Sequence, residues 1–123
     1  MYLLINNSWP DQAIFQGVYN DFCVERFIPR TPSGLLGAIS VFLKEFDLSV
    51  QDIAGIVVVV GKGHFTGTRI AVTIANIFAY ARQIPILSVK EYDNYTWLEA
   101  LKKATPGQYI SAEYSTEPRV GKK

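Results

Sequence analysis

Cysteine and histidine are nearly missing from this chain: one of each stands among 123 residues. A lone Cys23 has no internal disulfide partner, and no Cys/His spacing resembles a zinc site. Cys23 falls in an alternating apolar stretch and is expected to be a small core residue. Charge of one sign is lacking too. Twelve Lys and Arg against eleven Asp and Glu leave a net +1, which gives bulk electrostatics no hold on nucleic acid as the main activity. No apolar run approaches the roughly 18–20 residues that a membrane span needs. Met1 to Asn7 lacks the basic and long apolar regions of a signal peptide, so a cytoplasmic chain without membrane contact is expected. Internal repeats are also absent. Apolar residues are plentiful at 49%, ordinary for a globular domain, and the length favours one domain.

Periodicity orders the chain. Tyr2–Ile5, Ala13–Tyr19 and Phe22–Ile28 read as three strands, separated by Asn6-Asn7-Ser8 and the tight turn Asn20-Asp21. Their short connections predict an antiparallel meander. The period then changes. Leu35, Leu36, Ile39, Phe42, Leu43 and Phe46 recur at helical spacing, with Ser33 as a candidate cap. Ser49-Val50-Gln51-Asp52 resembles a capping box opening a single turn. Ile56–Val60 is continuously apolar between Gly55 and Gly61, the pattern of a central strand buried on both faces. A helix over Thr66–Arg82, a strand over Pro85–Val89, a short helix over Trp97–Lys103 and an extended segment over Gln108–Tyr114 follow. The expected fold is α/β: a mixed five-stranded sheet in βββαβαβ order, plus a short helix and a terminal strand. This is the ribonuclease-H-like layout found in each half of actin-like ATPases, and as an analogy of fold alone it says little of function.

Gly61, Gly63 and Gly67 lie in a loop between the buried strand and a helix, where free N–H groups and the helix dipole favour an anion. The spacing G-x-G-x-x-x-G is one residue longer than the dinucleotide fingerprint, and no Gly-Lys-Ser/Thr closes it as a Walker A loop. Tight strand-to-helix packing is the competing reading. Lys62 reads as an exposed loop lysine. His64 has no carboxylate or nucleophile beside it in sequence to orient it as a base, so no catalytic residue, metal or cofactor is expected.

The stretch Gly61-Lys62-Gly63-His64-Phe65-Thr66-Gly67-Thr68-Arg69-Ile70 resembles the G-P-G-S-F-T-G-L-R-I signature of the TsaB (YeaZ) family. It departs at Lys62, His64 and Thr68, where the family has proline, serine and leucine, and it keeps Phe65, Thr66, Gly67, Arg69 and Ile70. Leu48 to Ile56 resembles the family's L-S-D-L-D-A-I-A-V, and Ile84 to Val89 its G-I-P-L-V-G-V-S. Ile5-Asn6-Asn7-Ser8 lines up with I-D-T-S, and Tyr114 to Pro118 with a closing Y-x-x-x-P. The resemblance implies an actin-like domain over residues 1–115 and a basic tail over 116–123, about half the family's usual length, without the second domain that closes over nucleotide. Asn6 stands where the family carries aspartate, and an amide is a neutral, weaker ligand for magnesium. Both departures imply a subunit that does not hydrolyse ATP.

On a helical wheel of ~100° per residue, the second helix shows one apolar strip of Ile70, Ile74, Ile77, Phe78 and Ala81 and a second of Ala71, Val72, Ala75 and Ala79. The small strip is open to two readings: cover by the first helix, or close approach of a partner helix. Gly37 in the first helix suggests close approach, because glycine there costs about 0.5–1 kcal/mol against alanine. TsaB proteins pair with the catalytic TsaD subunit, and with themselves, through these two helices. The resemblance therefore implies an interface of Gly37, Ser40, Val41, Lys44, Thr68, Arg69, Ala71, Val72, Ala75 and Ala79. It also implies a role as an accessory subunit in forming threonylcarbamoyladenosine on tRNA, with a homodimer when the chain is alone. The alternative is a small nucleotide-binding module at Gly61–Gly67. Direct tRNA binding through Arg119, Lys122 and Lys123 would supply only a modest phosphate term, so any contact with tRNA is expected to be indirect.

Overall fold

Turn chemistry and alternation build the first half of the sheet. In this computed structural model, which describes residues 1–61 and 65–111 and only the backbone of Phe65, β1 (Tyr2–Asn6), β2 (Gln12–Tyr19) and β3 (Phe22–Pro29) form the expected antiparallel meander. Asn20 and Asp21 both take left-handed backbone, with φ of 49° and 67°. Two such residues in a row make the hairpin turn that matches strand twist.

The chain continues through α1 (Gly34–Lys44), a 3-10 turn over Val50–Asp52, β4 (Gly55–Val59), α2 (Phe65–Arg82), β5 (Ile86–Val89) and α3 (Trp97–Lys103). The sheet order is β3-β2-β1-β4-β5, with β4 parallel to both β1 and β5. The expected mixed five-stranded sheet is therefore present. Ser49 and Asp52 close the anticipated capping box. Asp47 and Gln83 turn left-handed after α1 and α2, the conformation that ends many helices.

Alternation sends the two sides of each strand to different cores. Leu3, Ile5, Phe15, Ile56 and Val58 pack under α1 and α2, while Leu4, Val18, Val57 and Val59 pack under Trp97 and Leu101 of α3. β4 contributes to both sides, so all five of its residues are apolar or glycine and buried. Phe15 and Phe42 stack at 5.3 Å between ring centroids, and Phe42 meets Phe46 edge-on at 5.4 Å. On the α3 side, Trp97 Nε1 donates to Gln16 Oε1 at 2.8 Å, and Gln16 Nε2 donates to Glu25 at 3.0 Å.

Four expectations need correction. Ser33 precedes α1 in helical backbone and makes no side-chain cap bond. Cys23 is exposed: β3 is an edge strand, and Val24 takes the inward position while Cys23 faces the side beyond the reach of α3. Gly37 makes room for its own chain, because a Cβ there would collide with Ser33 Cβ and lie 2.9 Å from Thr31 Oγ1. The described part of the last segment, residues 108–111, is irregular. Ile110 bonds the side chain of Asn76 through both its N–H and its carbonyl, at 2.9 and 2.8 Å. That pairing ties Ile110 to α2 and takes up the N–H and carbonyl that this residue would offer a sheet ladder. The rest of that segment and the tail at 116–123 lie outside the described residues.

Candidate partner-binding face and glycine-loop corner

α2 lies on the sheet through its smallest residues. Ala71, Ala75 and Ala79 are fully buried, flanked by Thr68 and Val72, and Gly67 brings the first turn against the end of β1. These five expected interface residues are thus interior: the domain's own core covers them. Small side chains here let the helix axis sit close to the strands.

The larger residues are consequently turned outward. Ile70 and Ile77 are 44% and 59% exposed, and Tyr80 is more so. Thr66, Arg69, Ile70, Thr73 and Ile74 line an open depression of about 300 Å³ on this outer face. α1 packs beside α2 on the same face of the sheet and exposes Leu36, Ser40, Val41 and Lys44. Of the expected interface, Ser40, Val41, Lys44 and Arg69 therefore stand at the surface, and Gly37 is half-buried. Ile70, Thr73 and Ile77 share this exposed outer side of α2 and stood outside the expected interface. The position of Ile70 and Ile77 beside Thr73 and Tyr80 on the wheel was the available signal that this strip faces out.

The glycine-loop corner is only partly described, since Lys62, Gly63 and His64 lie outside the described residues. Gly61 is buried with φ +98°, and a Cβ there would lie 3.3 Å from Lys90 Cγ. Thr66 is exposed at the start of α2, and Gly67 is buried. Asn6 is committed internally. Its Nδ2 donates to the Tyr92 hydroxyl at 3.2 Å, and its Oδ1 accepts from the Ser8 N–H at 3.2 Å and the Ser8 hydroxyl at 2.5 Å. A carboxylate could not make the bond to Tyr92 as a donor, so the amide suits this network. Arg30 clamps the adjoining β1–β2 loop by donating to the carbonyls of Trp9 at 2.6 Å and Pro10 at 3.1 Å. No group of three or more His, Cys, Asp or Glu that could hold a metal occurs among the described residues, and no described helix is long and apolar enough to cross a membrane.

Comparison with known proteins follows the same lines. A family model described as TsaD, tRNA N6-adenosine threonylcarbamoyltransferase, matches residues 33–110. The tRNA threonylcarbamoyladenosine biosynthesis protein TsaB of Bacillus subtilis is 39% identical over 56 residues, which is 46% of this chain and 24% of that protein. Among solved structures, YeaZ from Pseudomonas aeruginosa superposes with a TM-score of 0.63 at 25% identity, covering 73% of this chain and 44% of that one. A structure described as an uncharacterized protein with similarity to peptidase YEAZ from Pseudomonas aeruginosa gives 0.62 at 26% identity, covering 74% and 44%. This chain thus spans less than half the length of these relatives, and its sheet and helices have the actin-like fold of YeaZ. With the family model spanning well over half of the residues, the chain belongs to this threonylcarbamoyltransferase-related family, as a TsaB/YeaZ member.

Proposed function

We propose that this chain is a non-catalytic partner subunit in the formation of threonylcarbamoyladenosine on tRNA, gripping a TsaD-type catalytic subunit through the outer faces of α1 and α2. The observation that carries the reading is the outward pair Ile70 and Ile77 of α2, half exposed, with Ile70 lining the open depression together with Thr66, Arg69, Thr73 and Ile74. Exposed large apolar residues on one helix face fit an interaction site, and the names of the relatives supply the partner's class. Ser40, Lys44 and Arg69 would form the polar rim around it. The same face would serve self-association when no partner is present.

The test uses Ile77→Glu. This residue is exposed, so the change leaves the core alone and places a charge in the middle of the strip. Complex formation with the TsaD-type subunit of the same organism is then measured by size exclusion with light scattering. The expected result is at least a tenfold loss of affinity with an unchanged circular dichroism spectrum. Wild-type affinity in the variant, or no complex with the unaltered chain, sinks the proposal.

A further inference from the structure

The residues between β1 and β2, Asn7 to Asp11, are tied down one by one. Asn7 Nδ2 donates to the Gly67 carbonyl at 2.9 Å, and Ser8 bonds Asn6 Oδ1 through both its N–H and its hydroxyl. Arg30 holds the carbonyls. Its Nη2 donates to Trp9 at 2.6 Å and to Asn7 at 3.4 Å, its Nε to Pro10 at 3.1 Å, and its backbone N–H to Asp11 at 3.1 Å. Pro10 fixes its own φ and narrows the backbone choices of Trp9 before it.

In the middle of this fixed loop an indole stands half in water. Trp9 is 50% exposed, while the other tryptophan, Trp97, is buried with its N–H on Gln16. A scattered apolar residue at a surface needs no explanation. A tryptophan on a backbone locked by an arginine fork is a different case, because the ordering cost is met before anything binds. Tryptophan is also among the side chains that most often carry the binding energy of an interface.

The loop's place supplies the partner. Asn7 meets the first turn of α2 at Gly67, and Arg30 Nη2, which holds the Trp9 carbonyl, lies 3.2 Å from where a Gly67 Cβ would be. Thr66, Arg69 and Ile70, around that same turn, line the open depression on the outer face. The loop thus adjoins the end of the face assigned to the partner. Stacking on a nucleobase is another use of an exposed indole, but it works together with cations that follow the phosphates. Here the loop brings Asp11 and no base of its own, and Arg30 is half-buried with its fork turned onto carbonyls.

We propose that Trp9 is a further anchor for the TsaD-type subunit, entering an apolar pocket of that protein that offers an acceptor to the indole N–H, and that Arg30 is its positioning residue. The inference rests on the partner reading and adds a contact outside α1 and α2.

For the test, the unaltered chain, Trp9→Ala, Arg30→Lys and the double variant are each titrated with the TsaD-type subunit of the same organism. Trp9→Ala should weaken the complex at least tenfold and leave the melting midpoint in place, since Trp9 belongs to neither core cluster. Arg30→Lys keeps the charge and loses the fork, which should cost about three- to tenfold in affinity. On the Trp9→Ala background the same change should cost nothing more, whereas a merely structural Arg30 would weaken both backgrounds alike and overturn its assigned role. Loss of the complex with Ile77→Glu but full affinity with Trp9→Ala leaves the α2 face standing and overturns the anchor. Full affinity in both overturns both. Should a variant fail to fold, fluorine NMR of the 5-fluorotryptophan-labelled chain decides: the Trp9 signal should shift when unlabelled subunit is added. A Trp9 signal unmoved by the subunit, or one that answers to tRNA titrated alone, overturns the proposal.

Discussion

Replacing Gly67 with alanine isolates the contact that seats α2 on the sheet. Helix propensity alone favours the change, since alanine in a helix interior is better than glycine by about 0.5–1 kcal/mol. Sterics oppose it. A Cβ at Gly67 would overlap the carbonyl oxygen of Asn7 and lie 3.2 Å from Arg30 Nη2. The first obstacle is backbone at the end of a central strand, which cannot swing aside as a side chain would. The helix must lift, and the bond from Asn7 Nδ2 to the Gly67 carbonyl lengthens with it. Overpacking costs about 1–3 kcal/mol, and stranding a buried amide costs about 1–3 more. After the propensity gain, a net loss of about 1–5 kcal/mol remains. At roughly 4 °C per kcal/mol for a domain of this size, the midpoint should fall by roughly 5–20 °C, a large share of the stability a small domain has. Thermal denaturation followed by circular dichroism measures it. A midpoint equal to or above the parent's would refute the reasoning, because propensity would then have outweighed the collision.

Ala75→Glu should prevent stable folding, since it forces an unpaired carboxylate into a site with no exposure; a cooperative melt near the parent's midpoint would contradict the inner placement of the alanine strip. Trp97→Phe removes the donor to Gln16 Oε1 and should cost about 1–3 kcal/mol, read from urea unfolding with Trp9 as the remaining fluorophore. Desolvation, then Glu25 and Cys23, hold the Tyr95 phenol above its usual value of 10.0. The folded chain thus keeps a proton that the unfolded chain gives up first, and stability present below pH ~10 is lost above it. Tyr95→Phe should flatten that alkaline decline, and an unchanged pH profile of the midpoint would count against it.

Strand and helix positions were legible wherever a period and a punctuating turn agreed. Asn20-Asp21, the capping box at Ser49 and the valine run of β4 each carried a local physical cause, and each was found in place. Of the segment expected over Gln108–Tyr114, the described residues 108–111 are irregular, with Asn76 bonding Ile110 across 34 positions, and no local pattern announces such a bond. Cys23 failed for a related reason. Alternation shows that two faces exist, but whether the second is covered depends on how far α3 extends, which is a tertiary fact. The two apolar strips of α2 were both visible, and the wheel could not say which one the sheet would take.

The sheet's choice follows from closeness. A strip of alanines ending in glycine lets a helix lie nearer to the strands than a strip of isoleucines would, and β1 and β4 already fill the layer beneath with Leu3, Ile5, Ile56 and Val58. Bulk supplied by the strands leaves room only for small residues from the helix. With Ala71, Ala75 and Ala79 on the inside, 3.6 residues per turn force Ile70 and Ile77 to the far side, where both stand exposed. The exposed strip is thus the geometric counterpart of the tight inner contact. For that reason Ala75→Glu and Ile77→Glu, two residues apart on one helix, should separate cleanly: the first loses the fold, and the second keeps the fold and loses the partner.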